Sequence, residues 1–282
     1  MPNIRIIEPD KIIKAVARLC ISANIHIGDD ICEALHAAKA NETSDLPRSV
    51  LDMLTKNAEI AKSENLPACQ DTGMAVVFVS IGTKVHVGGN LTNAINEGVR
   101  RGYREGFFRN SVVLDPINRV NTGDNTPAVV HYDFVPGNQI KITVAPKGFG
   151  SENMGGIRML NPSDGINGVE DFVIETVKNA DANPCPPIIV GVGVGGTMEK
   201  AALISKQSLL REVGSEHPDL FWREVEWRLH SRINELNIGA AGFGGATTAL
   251  AVHIATFPTH IAGLPVAVTV GCHATRHKTV II

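Results

Sequence analysis

Three of the five cysteines lie in irregular segments, and their thiols are the first candidates for chemistry. Cys69, Cys185 and Cys272 are each flanked by glycine, proline or polar residues, and they lie far apart along the chain. Their spacing does not match the local CxxC pattern of a zinc site. Three thiolates are one fewer than a fully ligated iron–sulfur cubane uses, and an iron left open acts as a Lewis acid. Two hypotheses follow: one metal centre built from three loops, or three unrelated buried cysteines.

The other two cysteines, Cys20 and Cys32, fall within helical patterns, on or near apolar faces. We interpret them as small buried hydrophobic residues. An odd number of cysteines in a chain of 282 residues argues against a disulfide framework and favours a reducing, cytoplasmic location.

Polar side chains next to Cys69 could take part in proton transfer. Gln70 and Asp71 directly follow this cysteine. They would place a hydrogen-bond donor and a carboxylate beside an open iron, which suits acid–base chemistry on a bound hydroxy acid. The alternative is an Asx-turn, in which the Asp71 carboxylate accepts a hydrogen bond from nearby backbone before Gly73.

Arg109 and His260 are candidates for binding a carboxylate. Arg109 follows a helical stretch, where its guanidinium could bind a substrate carboxylate or simply be solvated. His260 lies between a proline and the segment of Cys272, and it is either catalytic or structural.

Two glycine-rich stretches could bring backbone close to a ligand. Residues 147–156 are predicted to be irregular, with N–H groups available to an anion. Residues 191–196 lie between a predicted strand and a predicted helix, but their glycines do not have GxGxxG spacing. For this second stretch we favour tight packing of the strand on the helix over a nucleotide site.

Periodicity predicts the fold class. Apolar residues three and four apart predict a helical layer over residues 1–65. The rest of the chain, 66–282, alternates helical and strand patterns, and the runs 128–135 and 139–146 predict a β-hairpin around a Pro-Gly-Asn turn. We therefore expect a single α+β domain over residues 1–282, in which the helical layer is followed by a mixed β-sheet with helices.

Composition excludes several functional classes. The net charge is −3, so a nucleic acid is not the expected ligand. No run of about 18 apolar residues predicts a membrane span, and the N-terminus lacks the apolar region of a signal peptide. The apolar residues Val280-Ile281-Ile282 are expected to be covered by a partner.

Three separated motifs together carry a family resemblance. They are Cys69-Gln-Asp-Thr-Gly73, Cys185-Pro-Pro187 running into Gly191-Val-Gly-Val-Gly-Gly-Thr197, and Pro258-Thr-His260 followed by Leu264-Pro-Val266 and Cys272. They resemble the α subunit, or N-terminal domain, of class I fumarate hydratases. This family of iron–sulfur hydro-lyases also includes L-tartrate dehydratase, and the resemblance covers nearly the whole chain.

The resemblance implies a cofactor and residues that act beside it. Cys69, Cys185 and Cys272 match the three ligands of a [4Fe-4S] cluster whose fourth iron binds substrate. Gln70 and Asp71 match residues that contact substrate, with Asp71 as the proton donor to the departing hydroxyl.

The resemblance also implies residues that bind substrate. Arg109 matches an arginine that binds a substrate carboxylate, and His260 matches an active-site histidine. Gly148 and Gly150 match a glycine-rich substrate loop, but Phe149 stands between them where the family pattern has glycine. The backbone contact at that position is therefore an open question.

The implied reaction is the reversible hydration of fumarate to (S)-malate in the tricarboxylic acid cycle. The base that removes the C3 proton would lie in a separate β subunit, which implies a heteromer, expected to be α2β2. The residues around Arg109 and His260 resemble the fumarate pattern more than the tartrate pattern. The alternatives are an L-tartrate dehydratase α subunit, and a non-catalytic iron–sulfur sensor or interaction subunit.

Overall fold

The computed structural model describes residues 4–282, which form an α+β fold; residues 1–3 of the predicted helical layer lie outside the described part. The helices are α1 (Pro9–Ile25), α2 (Asp29–Asn41), α3 (Asp45–Glu64), α4 (Leu91–Glu105), α5 (Phe149–Glu152), α6 (Gly165–Ala180), α7 (Met198–Ser208) and α8 (Leu220–Asn234). The strands are β1 (Arg5–Ile7), β2 (Met74–Gly82), β3 (Val85–Val87), β4 (Val129–Val135), β5 (Ile140–Lys147), β6 (Gly156–Leu160), β7 (Ile188–Gly195), β8 (Ala249–Phe257), β9 (Leu264–Gly271) and β10 (Lys278–Ile281).

The chain divides into two compact units. Unit 1 contains the described residues up to Ile27, together with Ile60–Phe149 and Arg276–Ile282, and unit 2 contains Gly28–Glu59 and Gly150–Thr275. The predicted helices of the first 65 residues are present as α1, α2 and α3, although α1 belongs to unit 1 whereas α2 and most of α3 belong to unit 2. That all 282 residues act as one domain stays a prediction.

Unit 1 is built on a four-stranded sheet with the order β10-β5-β2-β4. Helices α1 and α4 contribute apolar faces to its core, with Ile12 and Ile95 fully buried. The two helices pack closely because α4 has glycine at the contact. A Cβ added at Gly98 would lie 2.6 Å from the Cβ of Val16, so a side chain there would force the helices apart.

The predicted hairpin of unit 1 is wrong, although both of its strands form. β2 lies between β4 and β5, pairing in parallel with β4 and antiparallel with β5. The connection from β4 to β5 passes over the end of β2 at Gly82, where an added Cβ would lie 2.6 Å from the carbonyl oxygen of Gly137. Because β2 is apolar and buried along most of its length, it pairs on both edges and separates the two strands.

Of the apolar residues 280–282, Ile282 is covered by unit 1 itself, so the expectation that a partner covers it is wrong; for Ile281, which is exposed, it stays a prediction. β10 pairs antiparallel with β5. Ile282 exchanges backbone hydrogen bonds with Ile140 at 2.8 and 3.0 Å, and its side chain is buried in the core. Ile281, on the alternate face of the strand, is exposed, as the two-residue period of a strand requires.

Unit 2 is built on a second four-stranded sheet, with the order β6-β9-β7-β8. β7 is buried at every residue. Its valines, such as Val192, join a core with apolar residues of α6 and α8, such as Val173 and Leu229.

The glycines of β7 confirm the packing interpretation of the second glycine-rich stretch. A Cβ added at Gly191 would lie 2.2 Å from the carbonyl oxygen of Ser205, and one at Gly193 would lie 2.1 Å from that of Ala201. Both acceptors belong to α7, so these glycines let the helix lie directly on the strand.

Among the described residues, none of the helices combines the length and the apolar character that a membrane span requires.

Candidate functional site

In unit 1, the carboxylate of Asp71 holds two loops together. One oxygen, Oδ1, accepts a hydrogen bond from the backbone N–H of Gly73 at 3.0 Å, which is the Asx-turn that the sequence allowed. The other, Oδ2, accepts from the backbone N–H of Phe149 at 2.8 Å. The Asx-turn therefore does not exclude a second role, because the same carboxylate also reaches the glycine-rich loop.

The glycine-rich loop approaches Asp71 closely at Gly148. A Cβ added at Gly148 would lie 3.2 Å from Asp71 Oδ2, closer than an ordinary contact. Phe149 makes its contact with Asp71 through its backbone N–H, and its side chain is largely exposed. A side chain at position 149 is therefore compatible with this backbone contact to Asp71, and the contact of the loop with substrate stays a prediction.

The prediction that residues 147–156 are irregular is wrong in part. Phe149–Glu152 forms the single helical turn α5, and Gly156 begins β6. In unit 2, the Glu152 carboxylate forms an ion pair with Lys206, which anchors this turn on α7. Gly150 lies in the turn, and an added Cβ there would meet only the carbonyl oxygen of Asn183, at 3.7 Å. Packing therefore does not explain why position 150 is glycine.

Buried polar side chains fix the segment that follows Asp71. The Tyr103 hydroxyl donates to the carbonyl oxygens of Thr72 at 2.8 Å and Gly73 at 3.1 Å. Burial raises the pKa of Tyr103, so the hydroxyl remains protonated and donates. The side chain of Asn125, which is fully buried, donates to the Gly73 carbonyl at 3.1 Å.

Arg109 lies beside the same segment. Its carbonyl oxygen accepts a hydrogen bond from the Thr72 hydroxyl at 3.2 Å, and its side chain is exposed. Two residues later, the backbone N–H of Ser111 donates to Asn125 Oδ1 at 2.7 Å. The structure thus brings Arg109 next to the Cys69-Gln-Asp-Thr-Gly73 motif and leaves its guanidinium available to a ligand.

In unit 2, Cys185 and Cys272 are linked through His273. The carbonyl oxygen of Cys185 accepts hydrogen bonds from the His273 backbone N–H at 3.4 Å and from its ring Nδ1 at 3.0 Å. Because a carbonyl only accepts, Nδ1 carries the proton in this contact. Cys185 has a positive φ of 55° and an exposed side chain, and Cys272 is partly exposed. Two of the three predicted ligands are therefore neighbours in the fold.

His260, also in unit 2, lies on the loop after β8. Its Nδ1 accepts from the Ala262 backbone N–H at 3.2 Å, and the residue is exposed. It lines a mostly apolar cavity of about 390 Å³, together with residues that include Trp222 and Leu264.

The thiols differ in the way a cluster would require. Cys69 and Cys272 are partly exposed and Cys185 is exposed, whereas Cys20 is fully buried. Burial raises the pKa of Cys20 to about 12, which excludes a thiolate near neutral pH. Cys32 is also partly exposed, so the interpretation of Cys32 as a buried residue is wrong, whereas that of Cys20 is confirmed. The three loop cysteines are accessible, and this donor set fits an iron–sulfur cluster.

Within residues 4–282, no group of three or more His, Cys, Asp or Glu side chains is arranged to hold a metal ion. A group of this kind would coordinate a single metal ion. A cubane spreads its thiolates over several irons, so its cysteines do not have to converge on one point.

The sequence did not single out several residues that position this site. Asn24, Tyr103 and Asn125 lie in patterns typical of ordinary helices and loops, so no sequence signal distinguished them. His273 and Arg276 could have been identified from the sequence, because they follow Cys272 in an irregular segment, and functional residues often lie in such segments.

Comparison with known proteins gives a consistent picture. The family model described as fumarate hydratase (Fumerase) matches residues 13–281. The chain is 40% identical over 273 residues to a putative L(+)-tartrate dehydratase subunit alpha of Methanocaldococcus jannaschii, which covers 94% of this chain and 95% of that protein. It is 34% identical over 277 residues to the L(+)-tartrate dehydratase subunit alpha of Escherichia coli O157:H7, with 97% and 91% covered.

Proposed function

This chain belongs to the fumarate hydratase (Fumerase) family, and from that premise we propose that it is the cluster-binding α subunit of an enzyme that hydrates fumarate to (S)-malate. Members of this family are hydro-lyases, and the chain is an enzyme of this class. The observation that carries the proposal is the link through His273, which makes neighbours of the predicted ligands Cys185 and Cys272.

Cys69, Cys185 and Cys272 would hold the cluster as thiolates, and their accessibility supports this assignment. When bound, a [4Fe-4S] cluster with an open iron supplies a Lewis acid for the hydroxyl that leaves malate. Binding would be accompanied by release of thiol protons, so cluster uptake should fall at low pH.

The other residues would bind substrate and move a proton. The exposed guanidinium of Arg109 would bind one substrate carboxylate, and Gln70 and His260 would contribute further polar contacts. Asp71 would carry the proton for the leaving oxygen. Each oxygen of a carboxyl group has two lone pairs, so Asp71 can keep both backbone hydrogen bonds while one oxygen is protonated. Gly148 and Gly150 would let backbone approach the substrate.

A separate β subunit would supply the base that removes the C3 proton. The relatives are named alpha subunits, which supports a partner of this kind. An α2β2 assembly, a cytoplasmic location and a place in the tricarboxylic acid cycle remain predictions.

The second candidate is L(+)-tartrate dehydration, which the names of the relatives favour. Both reactions remove water from a hydroxylated four-carbon dicarboxylate, so the same residues could serve either. The residues around Arg109 and His260 are the reason we place fumarate first.

The first experiment measures iron and acid-labile sulfide after anaerobic purification and reconstitution, with about four of each per chain expected for a cubane. Cys185→Ala should lose the cluster, whereas Cys20→Ala should keep it. The reconstituted chain, mixed with a β subunit, is then assayed with (S)-malate and with L-tartrate. If the reconstituted enzyme contains the cluster and turns over L-tartrate but not (S)-malate, L(+)-tartrate dehydration replaces fumarate hydration as the proposed function.

A cluster with no turnover of either substrate would favour a sensor or interaction subunit. Asp71→Asn separates these cases further. A wild-type turnover that is lost in Asp71→Asn while the cluster stays intact supports the enzyme, because a sensor has no turnover to lose.

A further inference from the structure

We propose that Arg276 and Asn24 are positioning residues that hold the segment Cys69-Gln70-Asp71 from both ends. The contacts lie within unit 1 and are independent of any ligand. Only their consequence for catalysis rests on the proposed function.

The two ends of the segment are held by one hydrogen-bonded group. Before Cys69, the backbone N–H of Ala68 donates to the carbonyl oxygen of Asn24 at 2.9 Å. After it, Arg276 Nη2 donates to the carbonyl oxygen of Asp71 at 2.7 Å. Arg276 Nε donates to Asn24 Oδ1 at 3.1 Å, which closes the connection between the two ends.

Both residues are buried, so these contacts are not shared with bulk water. Asn24 is fully buried and Arg276 is 4% exposed. Asn24 is itself fixed, because its Nδ2 donates to the carbonyl oxygen of Cys20 at 3.0 Å, one turn back in α1. A buried guanidinium makes strong, directional hydrogen bonds and is costly to leave without acceptors.

The planar guanidinium explains why position 276 is arginine. Its nitrogens point in fixed directions, toward Asn24 Oδ1 and toward the Asp71 carbonyl, and the ammonium group of lysine cannot reproduce this geometry. The rigid end of α1 thereby determines the path of the backbone on either side of Cys69, and with it the direction of the Cys69 thiol and the Asp71 carboxyl group.

The test measures the alkylation rate of Cys69 in the cluster-free chain by peptide mass spectrometry, with Cys185 in the same sample as the internal reference. Arg276→Lys should accelerate alkylation of the partly buried Cys69 about tenfold, the factor expected in a local opening equilibrium when a charge-assisted hydrogen bond is lost. Cys185 should keep its rate. Arg101→Lys is the matched control, because Arg101 lies on α4 and pairs with Glu97 away from the segment.

Asn24→Ser is the second variant, and it decides the matter if Arg276→Lys does not fold. It removes the acceptor of Arg276 Nε but keeps the backbone carbonyl that binds Ala68, so a smaller acceleration at Cys69 is expected. The proposal is overturned if Cys69 keeps its rate in a folded variant. It is equally overturned if the fully buried Cys20 is alkylated together with Cys69, which indicates a general loss of stability.

A catalytic measurement adds a second result when kcat is expressed per folded, cluster-loaded chain, because the loss of active enzyme through general destabilisation is then removed from kcat. With cluster and β subunit present, Arg276→Lys should lower kcat about tenfold and leave the KM for the substrate nearly unchanged, because Arg109 is untouched. A tenfold fall in kcat accompanied by a rise of similar size in KM would contradict a role in positioning Asp71. The alkylation test needs neither cluster nor substrate, so it remains decisive even if fumarate hydration is not observed.

Discussion

Replacing Asp71 by asparagine tests whether one carboxylate holds two loops of unit 1 together. The carboxylate accepts hydrogen bonds from the backbone N–H groups of Gly73 and Phe149. Asparagine keeps one acceptor oxygen and turns an NH2 group toward the other N–H, so one contact is lost and replaced by a repulsive one.

The magnitude follows from the number and type of these contacts. A hydrogen bond to a charged group contributes about 1.5 to 3 kcal/mol. Asp71 is partly exposed, so we take the lower part of this range and expect a local loss of about 2 kcal/mol. This corresponds to a fall of roughly 30-fold in the protection of the affected amides.

Hydrogen–deuterium exchange with mass spectrometry measures this locally, on peptides that contain Gly73 and Phe149. Asp133→Asn is the matched control, because Asp133 is an exposed residue of β4 in the same unit. Unchanged protection of both amides in Asp71→Asn would refute the reasoning. Loss of protection at Gly73 alone would mean that Asp71 stabilises only its own Asx-turn and does not hold the loop of Phe149.

Three further predictions concern the core and the thiols. Burial lowers the pKa of His253 to about 4, with a smaller contribution from Arg211. The unfolded chain binds this proton near pH 6.5, whereas the folded chain binds it only near pH 4. The free energy of unfolding should therefore fall by up to about 3 kcal/mol as the pH is lowered from 6.5 to 4. Urea titrations at several pH values give the free energy of unfolding of the wild type and of His253→Leu, and the difference between the two should isolate this dependence. If the two free energies change in parallel with pH, the prediction is contradicted. Gly193→Ala should lower the free energy of unfolding by about 3 kcal/mol, because its Cβ would meet α7 backbone, whereas Gly263→Ala, with space around it, should be neutral in the same titration. In the native cluster-free chain at pH 8, iodoacetamide should modify Cys185 and spare Cys20, whose thiol is buried and protonated; mass spectrometry showing early modification of Cys20 would be incompatible with its burial.

Local patterns predicted the elements well where one face is apolar. The stripe that includes Val16 and Cys20 formed α1, and the run that includes Val77 and Val79 formed β2. Strand pairing failed, because it depends on long-range contacts. A Pro-Gly-Asn turn is typical of a hairpin, but the buried strand β2 took the place between the two strands that the turn connects.

The candidate site shows the same limit. Cys69, Cys185 and Cys272 could be recognised because glycine and proline mark their segments. Asn24 could not, because it occupies an ordinary position in the last turn of α1 and acquires its importance from a contact with Arg276, 252 residues later. Periodicity and motifs report on neighbours in sequence, whereas positioning contacts join residues that are distant in sequence.

The order in which the chain is synthesised has a consequence for Arg276. Unit 1 is discontinuous, and its last segment begins with this residue. Asp71, the partner of Arg276, is made 205 residues earlier, which at typical rates of translation is a delay of roughly 10 to 40 s. Until Arg276 leaves the ribosome, the segment around Cys69 lacks the hydrogen bond from this guanidinium to the Asp71 carbonyl. The path of the backbone at Asp71 is therefore fixed only after the last segment of unit 1 has been made, although Cys69 and Asp71 themselves are made early.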